Sequence, residues 1–152
     1  MPLAVSRLSL PRMVYLTRRE HFSAAHKLWN PNWTEEENQK VFGICANKNF
    51  HGHNFNLFVT VKGNPDPQTG LIINLKELSR IINAVIIDRI DHRNANLEVD
   101  FLKGIIPSTE NIVKAIWKEL KNQLKGCELH CVKLYETENN YAAFYGEGEN
   151  EN

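Results

Sequence analysis

From His51 to Lys62 the chain alternates so regularly that one local conformation accounts for it. His51, His53, Phe55, Leu57, Val59 and Val61 share one parity; Asn54, Asn56, Thr60 and Lys62 share the other, which Phe58 interrupts. A strand turns successive side chains to opposite faces. The run therefore reads as a half-buried strand whose apolar face begins with two imidazoles, separated by the small Gly52. Two imidazoles on one side offer two ligands to a single metal ion. A third histidine from another strand would complete a three-histidine site with an open fourth position, the arrangement of catalytic rather than structural zinc.

Residues 14 to 26 supply a candidate for that third ligand. Val14, Leu16, Phe22, Ala24 and His26 fall on one parity, interrupted by Arg18 and Glu20, and read as a first strand. Paired with the second strand, it would bring His26 toward His51 and His53. Taken singly, a His-x-His pair is more often a surface feature; the three together favour zinc. Between the strands lies a polar excursion over residues 27 to 50. Trp29-Asn30-Pro31-Asn32-Trp33-Thr34 leads into Glu35-Glu36-Glu37-Asn38, a short helix within a loop, and Cys45 follows six positions before His51. Long insertions of this kind are usually functional when they lead into a site.

Gly63-Asn64-Pro65-Asp66-Pro67 ends the second strand. Asn74 with Glu77 resembles a capping box, and Leu75, Leu78, Ile82, Val85 and Ile86 form one helical apolar stripe. Pro107-Ser108-Thr109-Glu110 opens a second helix, along which Ile112, Ile116 and Leu120 recur at helical spacing. Two closing strands, Leu129 to Thr137 and Tyr141 to Tyr145, are joined by Glu138-Asn139-Asn140. The expected fold is α+β, in the order ββααββ, with a four-stranded sheet covered on one face by two helices. Its other face and its two edges are then left to a polar surface or to neighbouring subunits.

At 152 residues the chain suits one domain, expected over residues 14–147, with a disordered arm over 1–13 and a tail over 148–152. The first dozen residues carry Arg7, Arg12, Ser6 and Ser9 and no acid, a faint echo of a transit peptide, but a disordered arm is the simpler reading. Eighteen basic residues balance eighteen acidic ones, so charge offers no reason to propose nucleic acid or an anionic membrane as partner. No apolar run approaches the roughly 18 residues of a membrane span. Three cysteines are too few for a disulfide framework. Cys127 and Cys131, four apart on a strand, would stand about 13 Å apart, beyond the roughly 7 Å a disulfide tolerates. The thiols fit a reducing, cytoplasmic setting.

Several further residues are candidates for chemistry. Cys45 is a small buried residue, a zinc ligand, or a nucleophile or base whose thiolate a neighbouring zinc would favour; the three imidazoles already suffice as ligands, which ranks ligation lower. Asp91-His92 can act as a pair, the carboxylate holding one imidazole tautomer, or can be a capping element. Glu136 shares the parity of Val132 and Leu134 on a half-buried strand, so its charge needs a partner. That partner is an ion pair, or the two N–H groups of a guanidine-like heterocycle such as a pterin or guanine. Thr109 and Glu110 read as helix-capping residues, and His21 and His130 as structural or surface residues.

Taken together, Phe22-Ser23-Ala24-Ala25-His26, Phe42-Gly43-Ile44-Cys45, His51-Gly52-His53-Asn54, Asp91-His92, Ser108-Thr109-Glu110-Asn111 and Tyr135-Glu136-Thr137-Glu138-Asn139-Asn140 form a specific series. In this order and spacing, from about Arg18 to Gly146, the chain resembles the 6-pyruvoyl tetrahydropterin synthase family. The resemblance implies the tunnelling fold (T-fold), in which three subunits close their sheets into a barrel and two trimers stack as a homohexamer with interfacial active sites.

It also implies conversion of 7,8-dihydroneopterin triphosphate to 6-pyruvoyl-tetrahydropterin with loss of triphosphate, a step toward tetrahydrobiopterin. Carried over residue by residue, His26, His51 and His53 correspond to zinc ligands and Cys45 to the general base. Asp91 and His92 correspond to its relay partners and Glu136 to the pterin anchor, while Thr109 and Glu110 line the same pocket. Mg²⁺ with Lys or Arg side chains would assist triphosphate departure. Five residues, Ala46 to Phe50, separate Cys45 from His51, as in the pyruvoyl-forming enzymes; relatives that form 6-carboxy-tetrahydropterin generally have three. That sibling reaction is the alternative, and a non-catalytic zinc-binding protein of the same fold is the second.

Overall fold

The computed structural model describes residues 12–149. Of the expected arm, residues 1–11 lie outside the described residues, and Arg12 and Met13 are exposed; of the expected tail, residues 150–152 lie outside.

The two strands expected to pair do so along their whole length. β1 (Val14–His26) and β2 (His51–Gly63) run antiparallel, in register from Val14 opposite Gly63 to His26 opposite His51. Facing parities explain why. On one side Phe22 stacks on Phe55, ring centroids 4.9 Å apart, and Leu57, Val59 and Val61 are buried. On the other, polar cross-strand pairs form between Thr17 and Thr60, Arg19 and Asn56, and Ser23 and Asn54.

The closing strands extend the sheet, and a fifth strand joins its far side. The sheet order is Arg93–Asn94, β1, β2, Glu128–Tyr135, Tyr141–Phe144. In chain order the three further strands are β3 (Arg93–Asn94), β4 (Glu128–Tyr135) and β5 (Tyr141–Phe144). The sheet is thus five-stranded and mixed rather than four-stranded and antiparallel, because β3 runs parallel to Ala24 and Ala25 of β1. Tertiary hydrogen bonds make this strand. His92 N–H donates to Ser23 O and Ala95 N–H to Ala25 O, and two residues carry no periodicity to read. Between β2 and β4 the register shifts after Thr60, leaving His130 as the extra residue of a bulge. Leu129 therefore faces the core opposite Val61, while Cys131 faces Thr60 on the outer side. The described cysteines, Cys45, Cys127 and Cys131, are all free.

Helices cover one face of the sheet. α1 (Glu35–Phe42) lies inside the excursion. α2 (Leu75–Ile82) continues through a π-helical turn, Asn83–Ile87, into the short α3 (Asp88–Ile90), and α4 is Thr109–Leu120. α2 and α3 lie over β1 and α4 over β4 and β5. Leu78, Ile82, Ile86, Ile112, Ile116 and Leu120 are buried against the sheet, whereas Leu75, expected in the stripe, is 45% exposed in the first turn. The expected capping box at Asn74 is half made. Asn74 accepts from Lys76 N–H, but Glu77 is taken by the Arg80 guanidinium, a stronger partner than a backbone amide. The reciprocal box occurs at Thr34 and Glu37. Among the described residues no helix is long and apolar enough to cross a membrane.

Glu20, which breaks the parity of β1, lies between the sheet and α2. It accepts from the Ser79 hydroxyl and from Arg18 Nε. Burial pushes its carboxyl up, but the hydrogen bonds from Ser79, Arg18 and Asn83, with the Arg18 charge, outweigh that and hold it below the usual glutamate value. A depressed folded-state pKa stabilises above the unfolded value, and the effect is lost as pH falls through the folded one. Ser79→Ala is expected to cost about 1.5 kcal/mol at pH 7. In urea unfolding, the difference from wild type should shrink as the pH is lowered below the carboxylate range.

Candidate functional site

The β1–β2 register sets three imidazoles against one another. His26 and His51 are direct cross-strand partners, and His53 lies opposite Ala24 on the same face. Ring centroids are 4.6 Å apart for His26 and His51, 5.1 Å for His26 and His53, and 5.0 Å for His51 and His53, all edge to face. One nitrogen from each ring lies within 4.8 Å of the other two. Nε2 of His26, Nδ1 of His51 and Nε2 of His53 are buried and have no hydrogen-bond partner among the described residues. Three converging ring nitrogens would be costly to bury without a common partner, and a single cation could be held by all of them.

The tautomer of His26 is set from outside the sheet. Its Nδ1 lies 2.7 Å from Pro107 O, just before α4. A carbonyl only accepts, so Nδ1 carries the proton and Nε2 presents its lone pair to the centre. Burial lowers the pKa of all three histidines; the nearby Glu136 charge raises them in part, without reversing the direction. The lowering favours the neutral ring, the form that binds metals. The donors fit a divalent transition ion, since imidazole suits Zn, Cu, Fe and Ni.

Glu136 stands at the rim of this centre. Oε1 is 3.5 Å from His53 Nε2 and Oε2 is 4.0 Å from His26 Nε2, and Oε2 accepts a 2.5 Å hydrogen bond from the Thr109 hydroxyl. Thr109 is not the cap of α4. Ser108 is, accepting from Asn111 N–H, which leaves the Thr109 hydroxyl for Glu136. Thr109, Glu110, Glu136 and Leu28 share a cleft of about 370 Å³ with the β4–β5 turn.

Asp91 and His92 meet as a pair, Asp91 Oδ2 lying 2.9 Å from His92 Nδ1. Asp91 Oδ1 also accepts from Ser23 N–H, and that backbone bond is the main reason its carboxyl is held below the usual value. His92 has a left-handed backbone, φ 58°, and is 83% exposed. It shares a cleft of about 500 Å³ with His53, Asn54 and Arg93. Cys45 is half-buried in the turn Gly43–Ala46 and lies outside the cluster of metal-ligand atoms. Its carbonyl accepts from Leu28 N–H at 2.8 Å, which ties the excursion to the end of β1. Cys45 lines neither cleft. Of the set-aside histidines, His21 is exposed, and His130 packs against Tyr15 and Tyr145 on the outer face.

Three supports were invisible in the sequence. One is the Pro107 carbonyl, a backbone atom. Another is Asn38, fully buried, which bonds Asn30 N–H, Asn30 O and Thr34 O and so staples the excursion. The third is Lys27, whose Nζ lies 5.0 Å from the Trp29 ring and 4.8 Å from the Phe50 ring. Phe50 has a left-handed φ of 66° immediately before His51.

The profile of the 6-pyruvoyl tetrahydropterin synthase family matches residues 15–147. A 6-pyruvoyl tetrahydrobiopterin synthase of Dictyostelium discoideum is 42% identical over 138 residues, covering 91% of this chain and 100% of that one. The one of Homo sapiens is 40% identical over 132 residues, covering 87% and 91%. The 6-pyruvoyl tetrahydropterin synthase structure of Caenorhabditis elegans superposes with a TM-score of 0.84 at 33% identity, covering 89% and 96%.

Metal binding at the three imidazoles should stabilise the protein by mass action, about 2.7 kcal/mol when the free ion is at a hundred times its dissociation constant. Thermal melts with Zn²⁺ and with a chelator should differ for the wild type. The difference should vanish in His51→Ala, whereas equal melts for the wild type would count against a metal centre.

Proposed function

The chain belongs to the 6-pyruvoyl tetrahydropterin synthase family and is an enzyme of tetrahydrobiopterin synthesis, and we propose that it converts 7,8-dihydroneopterin triphosphate to 6-pyruvoyl-tetrahydropterin, releasing triphosphate, at a zinc ion held by His26, His51 and His53. The convergence of three buried, unpartnered ring nitrogens beside a carboxylate carries this reading. Three neutral ligands leave a bound zinc its full double charge, which makes a side-chain hydroxyl of the substrate more acidic.

The rest falls to side chains of this protein. The reaction is an internal redox rearrangement followed by elimination. The carbon-bound and hydroxyl protons of the first side-chain carbon leave, the electron pair reduces the ring C=N bond, whose nitrogen and carbon each take up a proton, and the side-chain carbon becomes a ketone. A proton is then lost from the second carbon as triphosphate leaves the third, and the enol tautomerises to the methyl ketone. No nicotinamide or flavin is needed. Cys45 takes the carbon-bound proton at Sγ, and His92, oriented by Asp91 through Nδ1, relays protons at Nε2. Glu136 receives two N–H groups of the pterin, with Thr109 and Glu110 lining the same pocket. Mg²⁺ accompanies the triphosphate.

The assembly we propose is a trimer of sheets closed into a barrel, two trimers stacking as a homohexamer in the cytoplasm. Two features support it. Among the described residues, β1 from Val14 to Ser23 pairs on one side only, and β5 is the opposite edge. The uncovered face is mixed, Thr17, Arg19, Asn56, Thr60 and Lys133 alternating with the aromatic Tyr15, Phe58 and Tyr135, and would form a partly polar barrel interior.

Incubation of the metal-loaded protein with 7,8-dihydroneopterin triphosphate should release triphosphate and 6-pyruvoyl-tetrahydropterin. A carboxylated pterin with acetaldehyde would establish the sibling reaction instead, and no triphosphate release would sink the synthase reading. Cys45→Ala should keep the metal and lose turnover by about 10²–10⁴-fold, the usual scale of general-base loss. Loss of metal in that variant would make Cys45 a ligand.

A further inference from the structure

The three histidines and Glu136 lie close enough to pose a question of coordination. Two ligand atoms on one tetrahedral zinc stand roughly 3.4 Å apart, given bonds of about 2.0–2.1 Å. Glu136 Oε1 is already 3.5 Å from His53 Nε2. Carboxylate oxygen is a competent zinc donor, and Glu136 carries one oxygen toward each of two ligating rings. Unrestrained, it would be well placed to become a fourth protein ligand and close the position a substrate hydroxyl needs.

One contact opposes that. The Thr109 hydroxyl donates to Glu136 Oε2, fixing the rotation of the carboxylate and occupying the oxygen nearer His26. Thr109 is held in turn at the first position of α4, directly after the Ser108 cap. The same short segment supplies Pro107 O, which orients His26. Pro107–Thr109 therefore touches the centre twice, once to aim a ligand inward and once to hold a carboxylate back. We infer that Thr109 is a positioning residue whose hydroxyl keeps Glu136 out of the metal's coordination shell, preserving both an open position on the ion and a free carboxylate for the heterocycle.

This rests on the metal reading above, and azide titration of the full chain loaded with Co²⁺ separates the two. Azide enters an open coordination position and shifts the visible cobalt bands; a fourth protein ligand blocks it. Wild type should bind Co²⁺ and respond to azide. Thr109→Val, isosteric but without the donor, should bind Co²⁺ about tenfold or more tightly, the scale on which groups just outside the ligand set act, and should lose the azide response. Thr109→Ser should restore the response, and so should adding Glu136→Gln to Thr109→Val, which a merely structural role for Thr109 would not do. An unchanged azide response in Thr109→Val overturns the inference and leaves the metal centre standing. So does a wild type that ignores azide while Glu136→Gln responds, since Glu136 would then already be a ligand. Failure of the wild type to bind Co²⁺ at the histidines overturns the metal reading and the inference with it.

Discussion

The antiparallel ladder between β1 and β2 decides, pair by pair, which side chains can meet. It sets Phe22 on Phe55, and over the next two pairs on the same face, Ala24 with His53 and His26 with His51, it brings the three imidazoles together. Metal ligation tolerates errors of tenths of an ångström, and a rigid, hydrophobically registered ladder meets that tolerance better than a loop. A one-residue slip would turn the whole apolar face of β2 outward and the imidazoles with it. The burial that holds the fold and the geometry of the site are therefore the same constraint, with Phe55 acting on the centre both through register and through edge-to-face packing on His26 and His53.

Around this rigid pair the remaining groups arrive from other elements, each tied back to it. The start of α4 delivers Pro107 O and Thr109, and the β4–β5 turn delivers Glu136. Asp91 and His92 are laced to β1 through Ser23. Cys45 comes on the longest excursion, tied by the Leu28–Cys45 backbone bond, by Asn38, and by Lys27 between two rings. The histidines that could hold an ion sit on strands, and the residues proposed to move protons sit on loops and ends. A carboxylate beside three imidazoles is the point of tension in this arrangement, because the same negative charge that suits a pterin also suits a cation.

What was legible in the sequence follows from what each feature depends on. The parity of Phe22 to His26 and of His51 to Val61 is a covalent fact of the chain, so both strands, their shared face and the three-histidine convergence could be read directly. Glu136 could be singled out because a charge in an apolar series needs an explanation. The two-residue β3 could not, since it exists through hydrogen bonds to Ser23 and Ala25 rather than through any pattern of its own. Neither could the π-helical turn at Asn83–Ile87, where Asn83 bonds back to Ser79. Asn74 and Glu77 matched a capping box by residue type, but Arg80 was the better partner for the glutamate. Thr109 read as a cap because hydroxyls at helix starts usually are, and Ser108 one residue earlier took that role.

The central claim is that one ion joins these three rings and no thiol, and anomalous diffraction from crystals of the zinc-loaded protein tests it most directly. A single peak at the zinc edge about 2.0–2.1 Å from His26 Nε2, His51 Nδ1 and His53 Nε2 is the predicted result. A peak bonded to Cys45 Sγ, or none at the three rings, would contradict it.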